Sequence, residues 1–265
     1  MQELSKEKLK QIHKLKTEKE REKEGKFLIE GLHLCQEALA SNWELGLVLF
    51  STVFAEYSEG EKLVEEVSKS GTEIFRVKKK EIEKLADTET PQGIVAVVKK
   101  KKFTLSRDFL KKSSLLLGLD NIRDPGNLGA MIRTADAAGA DGVLLSKECV
   151  ELYNPKVVRS TMGSIFHLPA IEGLELEVII PQMKSSGFKI FVSDVHQGKD
   201  YNRVSYLEKT CLIIGSEAFG ISEQILNLAD ERVRIPIFGK AESLNASVAA
   251  GILLYEIGRN KKGTS

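Results

Sequence analysis

Three stretches of the chain pair turn-forming residues with polar groups that could bind a ligand. The first is Asp120-Asn121-Ile122-Arg123-Asp124-Pro125-Gly126-Asn127-Leu128-Gly129, which leads from an apolar segment into one that carries Arg133. Asp, Asn, Pro and Gly are turn formers, and the exposed start of a helix favours an anion. Turn chemistry accounts for the loop itself. It does not account for an amide and a guanidinium, Asn127 and Arg133, six residues apart at the head of one helix.

The second stretch is Gly215-Ser216-Glu217-Ala218-Phe219-Gly220-Ile221-Ser222, after the apolar run Cys211 to Ile214. Its glycines have Walker A spacing, but Ile221 stands where the phosphate-binding lysine must be, which excludes a P-loop NTPase. No G-x-G-x-x-G follows a strand, which weakens a dinucleotide reading. Glycines here would let a ligand approach the backbone, and Glu217 could face a cationic or hydroxyl-bearing group. The third stretch runs from Ile235-Pro236 to Ser243-Leu244-Asn245-Ala246-Ser247, with Ser243 as a candidate N-cap. Ala246, Ala249, Ala250 and Gly251 make the following helix slim, so it should pack closely on another backbone, within the protein or across a dimer.

Other chemistries find little support. His13, His33, His167 and His196 form no H-E-x-x-H, and there is no G-x-S-x-G elbow. Cys35, Cys149 and Cys211 suit neither a disulfide framework nor a zinc site, and are expected to be reduced, mostly buried thiols. No metal is expected. No run approaches the roughly 18 apolar residues of a membrane span, and the first 25 residues lack an apolar signal core, so the expected location is the cytoplasm, without a membrane partner.

The elements that must position these loops follow from apolar periodicity. A helix is expected from Ser5 to about Glu24, ended by Gly25. Strand Phe27-Leu28-Ile29, helix Leu32 to Ala40, strand Leu45 to Phe50, helix Gly60 to Lys69, strand Glu73 to Val77, helix Lys79 to Ala86 and strand Gly93 to Val98 follow. The second half repeats the alternation. Strands are expected at Leu115 to Leu119, Gly142 to Leu145, Phe188 to Val192, Cys211 to Ile214 and Val233 to Ile235. Helices are expected at Gly129 to Ala138, Pro155 to Met162, Glu223 to Leu228 and Ala246 to Ile257. Such alternation implies a parallel sheet covered on both faces, with ligands beyond the carboxyl ends of its strands. The resulting division is a small α/β domain over 1–98, a basic linker over 99–112 and a larger α/β domain over 113–265.

The formal net charge of +1 conceals segregation: +3 over residues 1–26, −6 over 27–77, +6 over 78–112 and −2 over 113–265. The lysine runs 78–80, 99–102 and 111–112 could neutralise phosphates of a polyanion or could be solvated surface.

The second half resembles the SpoU (TrmH) family of RNA ribose 2′-O-methyltransferases in the knotted SPOUT superfamily. The resemblance rests on Asp124 to Ala135 as a first motif, Gly215 to Gly220 as a second, and Ile235-Pro236 with Ser243 to Ser247 as a third. Asn154-Pro155-Lys156-Val157-Val158-Arg159-Ser160 to His167-Leu168-Pro169 matches the segment between motifs. Departures are Gly126, where a basic residue is common, and Ala246, where Val is common. Arg21 to Gly31 and Thr90-Pro91-Gln92-Gly93 resemble the L30e-like substrate-binding domain often attached to this family.

The resemblance implies a deep trefoil knot near the C-terminus, S-adenosylmethionine as methyl donor and a homodimer. Carried across, Gly215, Ile235 and Leu244 hold the cofactor by backbone groups, while Glu217, Asn245 and Ser247 line the pocket. Asn127, Arg133, Glu217 and Asn245 form the catalytic set. Contacts to a structured RNA are expected from Arg21, Lys23, Lys26, Lys99, Lys100, Arg123 and Arg159, and the runs Lys78 to Lys80 and Lys99 to Lys102 are expected on phosphates. The implied activity is 2′-O-ribose methylation, with 23S ribosomal RNA as expected substrate. The alternatives are the same chemistry on transfer RNA, or a non-catalytic RNA-binding or ribosome-assembly protein on the same fold.

Overall fold

A computed structural model describes residues 4–206 and 208–262; residues 1–3, 207 and 263–265 lie outside it. In chain order the first elements are α1 (Lys6–Lys14), α2 (Glu18–Glu24), β1 (Lys26–Glu30), α3 (Leu32–Ala40), β2 (Leu45–Ser51), α4 (Thr52–Ala55), α5 (Ser58–Lys69), β3 (Glu73–Val77), α6 (Lys79–Leu85) and β4 (Ile94–Lys99). Then come α7 (Arg107–Lys112), β5 (Leu115–Asp120), α8 (Pro125–Ala137), β6 (Gly142–Ser146), α9 (Pro155–Ser160), β7 (Ala170–Leu174) and α10 (Leu176–Ser185). The chain continues through β8 (Lys189–Ser193), β9 (Lys199–Asp200), β10 (Thr210–Gly215), α11 (Glu223–Leu228), β11 (Glu231–Arg234) and α12 (Ala246–Lys262).

These elements form two compact units. One runs up to Lys101 and also takes in Tyr153–Phe166, a segment expected in the C-terminal domain. Its sheet has the order β1-β4-β2-β3, with β4 antiparallel to β1 and β2, and β2 parallel to β3. Strand alternation sends Leu28, Leu47, Leu49, Phe75, Val77, Val95 and Val97 to one face, where Ile12, Leu15, Ile82 and Leu85 cover them. Aromatic contacts explain why Tyr153–Phe166 belongs to this unit. Tyr153 lies 4.6 Å from Phe27 between ring centroids, Trp43 lies 5.4 Å from Phe166, and the Trp43 indole N–H donates to the Phe166 carbonyl at 3.1 Å. Sequence periodicity carries no sign of such long-range ring packing.

The single helix expected from Ser5 to Glu24 is two helices with a corner at Leu15–Thr17. Leu15 turns into the core, and the Arg21 guanidinium donates to the carbonyls of Leu15 (3.0 Å) and Lys16 (2.8 Å), satisfying acceptors that the end of α1 leaves open. Arg21, expected on RNA, is therefore corrected: it is 3% exposed, and its fork is committed to the corner. Arg21→Ala is expected to cost about 2–3 kcal/mol, the scale of buried hydrogen bonds to a charged group. A lowered urea midpoint with an unchanged salt dependence of RNA binding would bear this out.

The other unit comprises Lys102–Leu152 and the chain from His167 onward. Its seven strands run in the order β7-β6-β5-β10-β8-β11-β9, and every pairing is parallel. One face buries Leu116, Leu144, Ile190, Val192, Cys211 and Ile213 beneath Leu110 of α7, Ile180 and Met183 of α10 and Ile225 of α11. α8 packs against β6 and α12 against β10, and the two helices pack on each other. Residues 107–112, expected as linker, form α7 because Ser106 caps it, its Oγ accepting from Phe109 N–H at 3.1 Å, and Leu110 is fully buried.

β7 and α10 are among the elements that escaped the periodicity. β7 contains Glu172 and Gly173, the latter in the left-handed region at φ 71°, and α10 carries Pro181 in its interior. Burial pushes the thiols of Cys35 and Cys211 up to about 12, and Cys149, half-buried, is also raised by burial. No helix among the described residues is long and apolar enough to cross a membrane.

Candidate active site

β5 and β10 lie side by side at the centre of the larger sheet, with Asp120 paired in register with Gly215 at their carboxyl ends. From β5 the chain proceeds outward to β6 and β7, whereas β10 has β8 on its other side. The crevice at such a change of direction is where open parallel sheets place ligands. Two of the three sequence stretches start there.

The first turn is held by local bonds. Asn121 takes a left-handed conformation at φ 57°, and its N–H donates to Ser146 Oγ at 3.0 Å. Asp124 caps α8 through Asn127 N–H (2.8 Å), and Pro125 occupies the start of the helix, where no N–H is needed. Asn127 thus sits in the first turn of α8. Asp120, which the sequence offered only as a turn former, is buried, and its Oδ2 accepts from Ser222 N–H at 3.1 Å, closing the β5 end onto the loop after β10. Burial raises its carboxyl above the usual range against the lowering bond from Ser222; the charges of Glu148 and Glu177 add to the rise. An acid that ends an apolar strand was the available signal.

The second loop is a tight turn. Gly220 N–H donates to the Ser216 carbonyl (2.8 Å), Phe219 N–H donates to Ser216 Oγ (3.1 Å), and Gly220 has φ 65°. A Cβ on Gly215 would lie 2.2 Å from the Gly220 carbonyl oxygen, so only glycine permits this closure. Gly215→Ala is expected to open the turn and cost about 1–3 kcal/mol, the scale of overpacking. Urea unfolding would measure that loss, and an unchanged midpoint would contradict the tight turn.

The third stretch supplies the partner. From Pro236 to Asn245 the chain is neither helix nor strand, and Ile235 and Leu244, both half-buried, flank most of it. The cap of α12 is Asn245, not Ser243: Asn245 Oδ1 accepts from Ser247 N–H (3.0 Å), Ser247 Oγ–H (2.6 Å) and Val248 N–H (3.3 Å). The Asn245 amide is then free to point its Nδ2 elsewhere. It donates to Glu217 Oε1 at 2.6 Å and to Asn127 Oδ1 at 3.0 Å.

Glu217 is the hub. Its Oε1 accepts from Asn127 Nδ2 (2.9 Å), Asn245 Nδ2 and Ala246 N–H (3.2 Å), so one carboxylate oxygen joins all three stretches at the positive end of α12. Its Oε2 accepts no hydrogen bond among the described residues. Arg133 lies on α8 beyond Asn127, exposed, with no hydrogen-bond or ion-pair partner among the described residues. The structure does not bond it to the cluster. The slim face of α12 packs within the chain, because a Cβ on Gly251 would meet Thr134 Cγ2 at 3.4 Å, next to Arg133.

The expected RNA contacts fare unevenly. Lys100 is corrected: its side chain is 5% exposed, ion-paired with Glu22 and held 4.6 Å over the Tyr153 ring. Lys99 is exposed and pairs with Glu44 (2.9 Å), Lys23 lies near Glu20 and Glu24, and Arg159 pairs with Asp87 (2.9 Å). Lys26 is exposed with no partner among the described residues. Arg123 is exposed, and its Nε donates to Asn121 Oδ1 at 2.8 Å.

Comparison with known proteins bears on this geometry. Residues 114–255 match the SpoU rRNA Methylase family. The chain belongs to that family. Residues 6–96 of this SpoU-family chain match the MRM3-like substrate binding domain. The chain is similar over nearly its whole length to the 23S rRNA (guanosine(2553)-2′-O)-methyltransferase RlmP of Bacillus subtilis, at 36% identity over 94% of this chain and 95% of the relative. The AdoMet-bound rRNA methyltransferase from Sinorhizobium meliloti superposes with a TM-score of 0.85 at 30% identity, covering 98% of this chain and 97% of that one. The SpoU methyltransferase AviRb from Streptomyces viridochromogenes, in complex with AdoMet, gives 0.83 at 29% identity over 96% and 98%. The α/β fold with a seven-stranded parallel sheet is that of SPOUT methyltransferases.

Proposed function

We propose that this SpoU-family protein transfers a methyl group from S-adenosylmethionine to a ribose 2′-hydroxyl of 23S ribosomal RNA. The observation that carries the reading is the convergence of Asn127, Asn245 and the head of α12 on Glu217, with Arg133 uncommitted on the same helix as Asn127. The full-length likeness to an enzyme named for that reaction supports the substrate.

The residues present fit the methyl donor. The backbone from Pro236 to Leu244 makes no hydrogen bond among the described residues, which leaves amides and carbonyls for a bound ligand between Ile235 and Leu244. Gly215 brings a side-chain-free backbone to the same end of the sheet, and Glu217 Oε2 offers an acceptor. When bound, S-adenosylmethionine supplies an electrophilic methyl on a sulfonium sulfur.

The chain's own residues must then align a weak nucleophile and accept its proton. In-line displacement draws most of its acceleration from positioning. Arg133 offers a planar fork of donors to the phosphate beside the target hydroxyl. A guanidinium stays protonated in proteins, so Arg133 orients and neutralises rather than serving as the base. The proton passes to a phosphate oxygen or to water. Asn127, fixed by Glu217, orients the ribose.

A homodimer accords with α12, whose Val248 and Tyr255 lie seven residues apart and are 51% and 58% exposed. The knot of the superfamily is proposed for this chain on the same footing, as is a cytoplasmic location, where ribosomal RNA is found. The test is transfer of labelled methyl to unmodified 23S ribosomal RNA and to unmodified transfer RNA. Label in the ribosomal RNA alone is expected; label in transfer RNA alone would overturn the substrate assignment.

A further inference from the structure

We propose that Phe219 and Arg123 form a stacking platform for an unstacked base of the RNA next to the reacting ribose. The inference rests on the methyltransferase reading and extends it to two side chains that do not belong to the Asn127–Glu217–Asn245 cluster.

Phe219 is 72% exposed, and its ring face is open to a ligand. It does not sit on a loose tip. Its own N–H and that of Gly220 are bonded to Ser216, so the turn holds the ring outward. Arg123 reaches the same ring from the loop after β5, with Cζ 5.8 Å from the ring centroid. It is held in turn, because its Nε is bonded to Asn121 Oδ1 and the left-handed Asn121 is anchored to Ser146. The Arg123 Nη groups have no partner among the described residues.

An exposed ring with a cation at its face is poorly suited to a dry protein interface, because docking an apolar partner would bury the guanidinium unpaired. It suits a ligand with a flat π-surface and a negative charge close by. Single-stranded RNA is such a ligand: splayed bases stack on aromatic rings and guanidinium planes, and each base carries a phosphate. The location agrees. Phe219 is two residues beyond Glu217 and Arg123 four residues before Asn127, so the turns that build the hub also hold the platform.

The test compares Phe219→Ala, Phe219→Leu, Phe219→Trp and Arg123→Gln with wild type, using unmodified 23S ribosomal RNA as substrate and calorimetry for S-adenosylmethionine affinity. Phe219→Ala is expected to raise KM for the RNA about tenfold, the effect of losing one base–aromatic stack. Its kcat and cofactor affinity should stay within about twofold, a split that a merely structural role for the loop would not give. Phe219→Trp should restore KM and Phe219→Leu should not. Arg123→Gln should raise KM and reduce the salt slope of binding by about one. Equal rescue by Leu and Trp, a parallel loss of cofactor affinity, or a change in oligomeric state in Phe219→Ala would overturn the platform while leaving the methyltransferase reading intact. A wild-type protein that transfers no methyl to the RNA would overturn that reading, and the platform with it.

Discussion

Arg133→Ala is expected to lower kcat/KM for methyl transfer about 10²–10³-fold, the scale seen when a preorganised charged donor is removed from a reacting centre. The reason is its isolation. Arg159 is paired with Asp87, whereas Arg133 is exposed with no partner among the described residues and so keeps its full set of donors for a ligand. S-adenosylmethionine affinity should be unchanged within about twofold, because the Glu217 hub does not use this side chain. Arg133→Lys keeps the charge but loses the bidentate fork, and is expected to remain at least about tenfold below wild type. Near-normal turnover in the lysine variant, measured under saturating cofactor, would show that a planar guanidinium is not needed.

Glu217→Ala should be nearly as damaging by a different route. It leaves Asn127 Nδ2, Asn245 Nδ2 and Ala246 N–H without their shared acceptor. Hydrogen bonds to a charged group contribute about 1.5–3 kcal/mol each when buried. Glu217 is exposed, so a total of about 2–3 kcal/mol for all three is the appropriate discount, or roughly 10²-fold. The loss should appear in cofactor affinity as well as in kcat, unlike that of Arg133→Ala. A double-mutant cycle with Asn245→Ala should give strong non-additivity, since the two residues share one bond network. Simple additivity would mean that the 2.6 Å contact between them does no energetic work.

Much of this was legible in the sequence because local physics decided it. α3, β3 and α11 fall where apolar periodicity places them, whereas α8 starts at Pro125, four residues before the expected Gly129, because Asp124 caps it. The hub was half legible. Asn127, Glu217 and Asn245 could be named from the family resemblance, but their meeting at one carboxylate oxygen depends on β5 and β10 being neighbours, although the register pair Asp120 and Gly215 lies 95 residues apart in the chain. No local pattern encodes that adjacency. The same limit explains the failures. Arg21 lies in a stretch of Lys and Glu that reads as solvated, yet a corner in the helix draws its fork to the carbonyls of Leu15 and Lys16. Lys100 belongs to a run of four lysines, yet Tyr153 and Glu22 claim it. Charge density is visible in a sequence; which charges are already partnered is not.

The most direct test of the central claim is the position of the methyl group that the wild-type protein adds to unmodified 23S ribosomal RNA. After labelled transfer and alkaline hydrolysis, the label should remain in an alkali-resistant dinucleotide, absent from the Arg133→Ala reaction, because a methylated 2′-oxygen cannot assist cleavage of the adjacent phosphodiester. Label recovered on a base in ordinary mononucleotides would contradict the account.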